Sequence, residues 1–71
     1  MKKYDHTLMP ARLRAIRKEL EMSQYEFASE AAIRDKSYWQ YENGKALPPL
    51  DKLCELLNAH DLTFDELCLE D

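Results

Sequence analysis

The chain has 71 residues, with ten lysines and arginines, fourteen aspartates and glutamates, and a net charge of −4 at pH 7. This length excludes a second domain and allows only a small core, and no apolar run is long enough for a membrane span or a signal peptide. One glycine, three prolines and the lack of alternating β-branched runs predict an all-α protein, which we expect to be cytoplasmic.

The charge is divided unevenly along the chain. Residues 1–45 carry nine basic and seven acidic side chains, a net charge of +2, whereas residues 46–71 carry one basic and seven acidic side chains, a net charge of −6. Such asymmetry predicts that the first part faces phosphates while the acidic second part faces solvent or a partner. Because the first part is only weakly basic, one subunit is expected to make few phosphate contacts, and two subunits are expected to be needed for useful affinity.

The first predicted helix runs from Leu8 to Leu20, with Thr7 as a candidate N-cap and Pro10 in its first turn. Residues 1–7 before it are expected to form a flexible arm, in which Lys2 and Lys3 reach phosphate if the arm orders. The predicted inward face of this helix consists of Leu13, Ile16 and Leu20.

Two short helices are predicted next. Ser23 and Glu26 form a capping box, so the second helix begins at Gln24 and extends to Ala31. The third helix runs from Asp35 to Asn43 and ends at Gly44, which can take the left-handed conformation. The apolar residues expected to pack these two helices together are Phe27, Ala28, Ala31, Ile33, Tyr38 and Tyr41.

Residues 46–49 form a loop that ends in two prolines, and Pro49 opens the fourth helix. Thr63 and Glu66 make a second capping box, which predicts a short fifth helix from Phe64 to Leu69. The leucines expected to face the core from the fourth helix are Leu50, Leu53, Leu56 and Leu57.

The cysteines and histidines give no sign of a catalytic or metal site. Cys54 and Cys68 are expected to be reduced thiols, and His60 is expected to pack in a partly buried position. A zinc site formed by these three residues is the alternative, weakened by a spacing that matches no known ligand pattern. No Ser/His/Asp or Cys/His set stands on a plausible scaffold, so neither an enzyme nor a cofactor is predicted.

The segment from about Leu13 to Leu67 resembles the lambda-repressor/Cro-type (XRE) helix-turn-helix family. Gln24 matches the opening glutamine of its motif and Ala28 the small packing residue, and the Glu-Asn-Gly-Lys sequence at 42–45 matches as it stands. Two positions differ, because Ala32 stands where the turn usually has glycine and Arg34 where serine or threonine is usual. The resemblance implies a compact five-helix lambda-repressor-like bundle, with residues 8–71 as a DNA-binding domain.

The same resemblance implies which residues contact DNA. The third helix is expected to read base edges in the major groove, and Gln24, Asn43, Lys45 and Arg17 are expected to contact phosphates. Arg17 and Glu42 also match an ion pair that joins the first helix to the end of the third. The residues expected to contact bases are Asp35, Lys36, Ser37 and Gln40.

Several residues keep a second interpretation. Asp35 is equally explained as a carboxylate favoured at a helix N-terminus, and Asn43 with Gly44 as a helix stop. Trp39 is expected to pack against the loop at 48–49, or to contact a sugar or thymine methyl, or to belong to a protein interface.

The sequence predicts a sequence-specific DNA-binding regulator, either a repressor or an antitoxin-type autoregulator with a toxin partner. A homodimer is expected, because one domain of this size reads few base pairs. The alternative function is a protein-interaction module that keeps the fold but no longer reads DNA. The expected dimer interface consists of Phe64, Leu67 and Leu69.

Overall fold

The computed structural model describes all residues, 1–71, and consists of five α-helices after one turn of 3-10 helix. This confirms the predicted all-α five-helix bundle, and each helix end that was predicted lies within one residue of its prediction. No helix in it combines the length and the apolar character needed to cross a bilayer. The 3-10 turn spans His6–Leu8, and the helices are α1 (Met9–Glu19), α2 (Gln24–Glu30), α3 (Asp35–Glu42), α4 (Leu50–Ala59) and α5 (Phe64–Cys68).

Both predicted capping boxes form. The Ser23 hydroxyl accepts from the Glu26 backbone N–H at 3.0 Å, and the Glu26 carboxylate accepts from the Ser23 N–H at 2.9 Å. Thr63 and Glu66 make the same pair of bonds at 3.1 and 2.9 Å at the start of α5. Each cap is worth about 1 kcal/mol, so α2 and α5 begin where their sequences specify.

The start of α1 differs from its prediction. The N-cap residue is Leu8, and no side chain caps this helix. The Thr7 hydroxyl donates instead to Asp5 at 2.6 Å, and the Asp5 carboxylate also accepts the Thr7 N–H at 2.9 Å. Asp5 therefore caps the 3-10 turn, and Thr7, the predicted N-cap of α1, does not cap that helix.

Each of the helices α1 to α4 is followed, two residues after its last residue, by a residue with left-handed backbone. The φ angles are 57° at Glu21, 56° at Ala32, 70° at Gly44 and 53° at Asp61. In each case the next residue donates its N–H to the carbonyl five residues back, at 2.8 to 3.2 Å, which is the bond of a Schellman motif. After three of these ends the chain turns an apolar side chain back onto the core: Met22, Ile33 and Leu62.

The core lies between all five helices. Leu20 and Leu50, which were expected to be inside, are 51% and 76% exposed. Met9, which was not among the expected core residues, is 4% exposed. The fully buried side chains of largest volume are Tyr38, Phe27, Leu13, Leu56, Leu67 and Cys68.

The N-terminal residues lie against the C-terminal segment. Tyr4 and Leu69 form an isolated antiparallel bridge, and the Asp5 N–H donates to the Cys68 carbonyl at 2.7 Å. Arg12 of α1 donates to the Leu69 carbonyl at 2.5 Å. This arrangement differs from the flexible arm expected over residues 1–7, because backbone groups of residues 3–5 find partners beside α5 that only the folded chain brings near.

Candidate nucleic-acid interface

Helices α2 and α3 form a tight two-helix unit. Phe27 and Ala28 of α2 and Tyr38 of α3 are fully buried, and the Phe27 and Tyr38 rings lie 5.3 Å apart. The side chain of Ala28 is small enough for the helices to cross closely. Ala32 supplies the left-handed turn between them even though it is not glycine. The unit therefore fixes α3 against α2 with its other face outward.

The outward face of α3 carries the residues predicted to contact bases. At 100° per residue, Lys36 and Gln40 lie opposite the buried side chains of Tyr38 and Tyr41. The Lys36 and Gln40 side chains make no hydrogen bond within the protein, and half-buried Ser37 lies at the edge of the same face. This face therefore offers one cationic donor and one carboxamide, spaced one helical turn apart.

Two other residues of α3, Asp35 and Trp39, differ in how much of the side chain is available to a partner. The Asp35 carboxylate accepts the Lys36 backbone N–H at 2.9 Å, so it is turned toward its own helix. This supports its interpretation as an N-terminal carboxylate. Trp39 is 46% exposed and lies next to Gln40 in sequence. Its indole is thus partly available on the solvent side of α3.

Arg17 and Glu42 join α1 to the end of α3. Arg17 donates from Nε at 2.7 Å and from Nη2 at 3.0 Å to the two carboxylate oxygens of Glu42. Gln24 of α2 donates its side-chain Nε2 to the same carboxylate at 3.3 Å. The Glu42 side chain is fully buried. One carboxylate therefore fixes the relative positions of three helices.

Hydrogen bonds outweigh burial at Glu42. Burial alone would raise the pKa of this carboxyl, but hydrogen bonds from Arg17 and Gln24, together with the nearby Tyr38 hydroxyl, lower the pKa below its ordinary value. The Tyr38 hydroxyl lies beside the pair, and it is the one buried side-chain polar atom without a hydrogen bond of good geometry. Burial first, and then the nearby Glu42 carboxylate, raise the pKa of Tyr38 well above its ordinary value.

The ion pair changes the role of Arg17. Its third nitrogen, Nη1, donates to the Met22 carbonyl at 2.9 Å, and its side chain is 13% exposed. All three nitrogen atoms of the guanidinium are thus engaged within the protein. The phosphate contact predicted for Arg17 does not fit this arrangement, because binding a phosphate would strip donors from a buried carboxylate.

The other residues predicted to contact phosphate lie at the two ends of the α2–α3 unit. Gln24 is the first residue of α2, and its carboxamide is already hydrogen-bonded to Glu42. The Asn43 side chain donates to the Trp39 carbonyl at 2.8 Å, which supports its role as a helix stop. Lys45 is exposed, and its side chain has no partner within the protein.

Sequence reasoning overlooked Arg14. Its Nε lies 3.6 Å from Glu42 Oε1, and its Nη2 lies 3.5 Å from Asn43 Oδ1. The signal was its spacing, because residues three apart share a helix face and Arg14 stands three before Arg17.

The three predicted dimer-interface residues fall into different environments. Leu67 is fully buried in the core, so it has no surface to offer a partner and that prediction is wrong for Leu67. Leu69 is half-buried and paired with Tyr4. Phe64 is 39% exposed, and its ring centroid lies 5.3 Å from that of Tyr4. An aromatic pair rather than a leucine cluster forms the apolar surface at this end.

His60 packs inside the fold. Its ring stacks on Phe27 with centroids 3.6 Å apart, and its Nε2 lies 2.8 Å from the Phe27 carbonyl. Since a carbonyl only accepts, Nε2 carries the proton. The Nδ1 atom lies 3.4 Å from the Glu30 carboxylate. Cys68 is buried and Cys54 is exposed.

Comparison with known proteins adds to this geometry. A family model described as helix-turn-helix matches residues 13–67 of the chain. The transcriptional repressor RstR of the cryptic phage CTXphi, from Vibrio cholerae, is 37% identical over 57 residues, 80% of this chain and 51% of that protein. YobD, an uncharacterized HTH-type transcriptional regulator of Bacillus subtilis, is 37% identical over 54 residues, 76% of this chain and 48% of that protein. The chain spans about half the length of these two relatives.

A solved structure shows the same architecture. The fold is similar to the DNA-binding domain of the P22 C2 repressor determined by nuclear magnetic resonance, with a TM-score of 0.78 and 27% identity over 89% of this chain and 83% of that one. The family match includes the whole α2–α3 unit, together with Arg17 and Glu42. The chain therefore belongs to the lambda-repressor/Cro-type helix-turn-helix family of DNA-binding proteins.

Proposed function

We propose that this chain is the DNA-reading part of a transcription regulator and inserts α3 into the major groove. The observation that carries this proposal is the outward face of α3, where Lys36 and Gln40 present unused donors opposite a fully packed inner face. A major groove admits one α-helix and displays distinct donors and acceptors at each base pair. A face with free side-chain donors on a rigid helix meets both requirements.

Each reading residue has a matching base chemistry. Gln40 can pair bidentately with adenine N6 and N7, and Lys36 can donate to guanine O6 and N7. Ser37 contributes a hydroxyl at the edge of the same face, while Asp35 accepts from cytosine N4 only if its carboxylate leaves the Lys36 N–H. Lys45 and the start of α2 at Gln24 bind phosphates and fix the register of α3.

The regulator is a repressor or an antitoxin-type autoregulator in this proposal. The relative RstR and the P22 C2 protein are both named repressors, which supports the repressor. A toxin partner would bind the acidic residues 46–71, which carry a net charge of −6 and are poorly suited to DNA.

A second function, a protein-interaction module, is favoured by Asp35 and by the exposed Trp39 on the reading helix. Salt dependence separates the two functions. Titration of a random-sequence duplex with the wild-type protein, followed by fluorescence anisotropy, should show affinity falling steeply as salt rises. Lys45→Ala should lower the slope of log K against log salt by about one. A protein that binds no duplex even at about 0.05 M salt would be the interaction module.

We also propose a homodimer whose interface includes Phe64, Tyr4 and Leu69. These side chains form a partly exposed apolar surface at one end of the bundle. Two copies would place their recognition helices about 34 Å apart, one turn of DNA. The Tyr4 hydroxyl donates to Asp65 at 2.7 Å, so a polar rim lies next to this surface, as is usual at interfaces.

Sedimentation equilibrium tests the dimer. The wild type should associate at tens of micromolar, roughly the range of weak dimers. Phe64→Asp should abolish association without unfolding the protein, because the Phe64 side chain is already 39% exposed. Leu50→Asp is the matched control, since Leu50 is 76% exposed on a different helix. Equal association of wild type and Phe64→Asp would place the interface elsewhere, and a wild type that stays monomeric on a palindromic duplex would reject the dimer.

A further inference from the structure

The cluster around Glu42 contains two positive charges and only one negative charge. Arg17 and Arg14 both lie within 4 Å of the single Glu42 carboxylate. Arg17 neutralises this charge through two short hydrogen bonds. The second positive charge, on Arg14, is therefore not neutralised within this cluster.

Arg14 is oriented but not satisfied. Its two contacts, to Glu42 at 3.6 Å and to Asn43 at 3.5 Å, are at the limit of hydrogen-bond length. Its side chain is 48% exposed, against 13% for Arg17. A guanidinium has five N–H donors in a fixed fork, so most donors of Arg14 are free to bind an anion that approaches from solvent.

The position of Arg14 brings this surplus charge to the end of α3. The first turn of α1 lies against the α3 end, since a Cβ built on Gly44 would stand 3.8 Å from Pro10 Cγ. Arg14 lies one turn further along α1, beside Asn43. Asn43 and Gly44 are followed directly by the exposed Lys45. Two cations with free donors, from separate elements, thus flank the same helix end.

We propose that Arg14 is a DNA-phosphate ligand, held in position by Glu42 and Asn43, and that it does on the DNA backbone what Arg17 cannot do. The inference rests on the proposed DNA binding and adds one contact to it. Phosphate oxygens accept the fork geometry of a guanidinium bidentately. Glu42 and Asn43 limit the rotamers of Arg14 before DNA arrives, which reduces the entropy lost on binding.

The test compares Arg14→Ala with Lys18→Ala on a random-sequence duplex, because phosphate contacts carry no sequence information. Lys18 is the matched control: it is exposed on the same helix, has the same charge and contacts neither Glu42 nor Asn43. Arg14→Ala should weaken binding roughly fivefold at about 0.15 M salt and lower the salt slope by about one, the effect of one phosphate contact. Lys18→Ala should change affinity by less than about twofold, since a separate surface charge is largely screened. Arg14→Lys should keep the slope but bind more weakly than wild type.

The outcomes separate this inference from the proposed function. Arg14→Ala should melt within a few degrees of wild type, because Arg17 still neutralises Glu42. A wild type that binds DNA while Arg14→Ala retains its affinity and slope would overturn the role of Arg14 alone. Equal losses of affinity in Arg14→Ala and Lys18→Ala would show that only net charge matters, which would overturn the proposal. An Arg14→Ala protein that fails to fold would show that Arg14 is a structural residue, and this result would overturn the proposal as well. A wild type that binds no duplex would overturn the DNA-reading function and this contact together.

Discussion

Glu42 shows how one side chain determines the orientation of α3, the proposed reading helix. Its buried carboxylate receives hydrogen bonds from Arg17 of α1 and Gln24 of α2, while its own backbone belongs to the last turn of α3. Removing the carboxylate would leave Arg17 as a nearly buried cation without a charged partner. Stability and DNA binding are therefore coupled at this residue.

Glu42→Ala should lower the free energy of unfolding by about 3 kcal/mol, the usual cost of removing one partner of a buried ion pair. DNA affinity should fall with it, because the end of α3 loses its anchor. Urea denaturation of Glu42→Ala, Arg17→Ala and the double variant measures the coupling. The double variant should lose less than the two single losses combined. Simple additivity would show that the two residues do not act as a pair.

The lowered pKa of Glu42 makes the stability of the protein sensitive to acid. A carboxyl whose pKa is lower in the folded than in the unfolded protein stabilises the fold fully above its unfolded value, here 4.5. That stabilisation is lost as the pH falls from there through the folded pKa. Glu42→Gln has no such group to titrate.

Unfolding free energies measured from about pH 7 down to about pH 3 should therefore fall more steeply for wild type than for Glu42→Gln. The pKa values of Asp5 and Glu26 are also lowered by their hydrogen bonds. Both groups are present in the two proteins, so only Glu42 contributes to the difference. Parallel curves would mean that Glu42 is not held as a carboxylate by folding.

The residue scale also shows a limit of sequence reasoning. The pairing of Arg17 with Glu42 follows from family resemblance, but whether the arginine also has spare donors depends on Met22 O, a backbone atom that the helix end brings near. The free arginine is instead Arg14, one turn earlier on α1. The two roles differ in the distance from Nε to the Glu42 carboxylate, 2.7 Å for Arg17 and 3.6 Å for Arg14, and residue spacing alone does not contain this difference.

At the scale of the elements, the local signals were the most reliable. Capping boxes and the glycine at Gly44 fixed helix starts and ends because they act within a few residues of sequence. Apolar periodicity was less reliable at the edges of the bundle. Leu20 follows the last turn of α1 and Leu50 opens α4, so each continues an inward stripe beyond the place where neighbouring helices cover it.

The left-handed helix ends lead to a prediction about stability. Ala32 joins α2 to α3 with φ at 56°, a conformation that costs an L-residue with a Cβ about 1 kcal/mol. Glycine has no such cost. Ala32→Gly should therefore stabilise the protein by up to about 1 kcal/mol, measured by thermal or urea unfolding.

Ala28→Gly is the contrasting control, because Ala28 is buried inside α2. Glycine there should destabilise by roughly 1 kcal/mol. If Ala32→Gly were equally destabilising, the turn between α2 and α3 would not have the left-handed geometry.

At the scale of the whole molecule, charge divides the chain into two regions. Helix α3 and the residues proposed to bind phosphate lie in residues 1–45, with a net charge of +2, while residues 46–71 have a net charge of −6. A duplex is repelled by the second region and attracted by the first, which orients the domain before contact. The sequence predicted this division because net charge needs no knowledge of the fold.

The docking of the two chain ends was not predictable in the same way. Glu70 donates its N–H to the Lys3 carbonyl at 2.9 Å, and the Lys3 N–H donates to the Glu70 carboxylate at 3.0 Å. These residues are separated by most of the chain, and no periodicity or motif relates them. Their contact depends on where five packed helices place the two ends.

Selection of bound duplexes from a random pool tests the central claim, that α3 reads bases in the major groove, most directly. The wild type should enrich a defined sequence. Gln40→Ala should lose base preference at one position in each half-site, at a cost of about 1 to 3 kcal/mol, while the other positions stay unchanged. A wild type that enriches no sequence, or a Gln40→Ala variant that enriches the same sequence with undiminished preference at every position, would contradict the account.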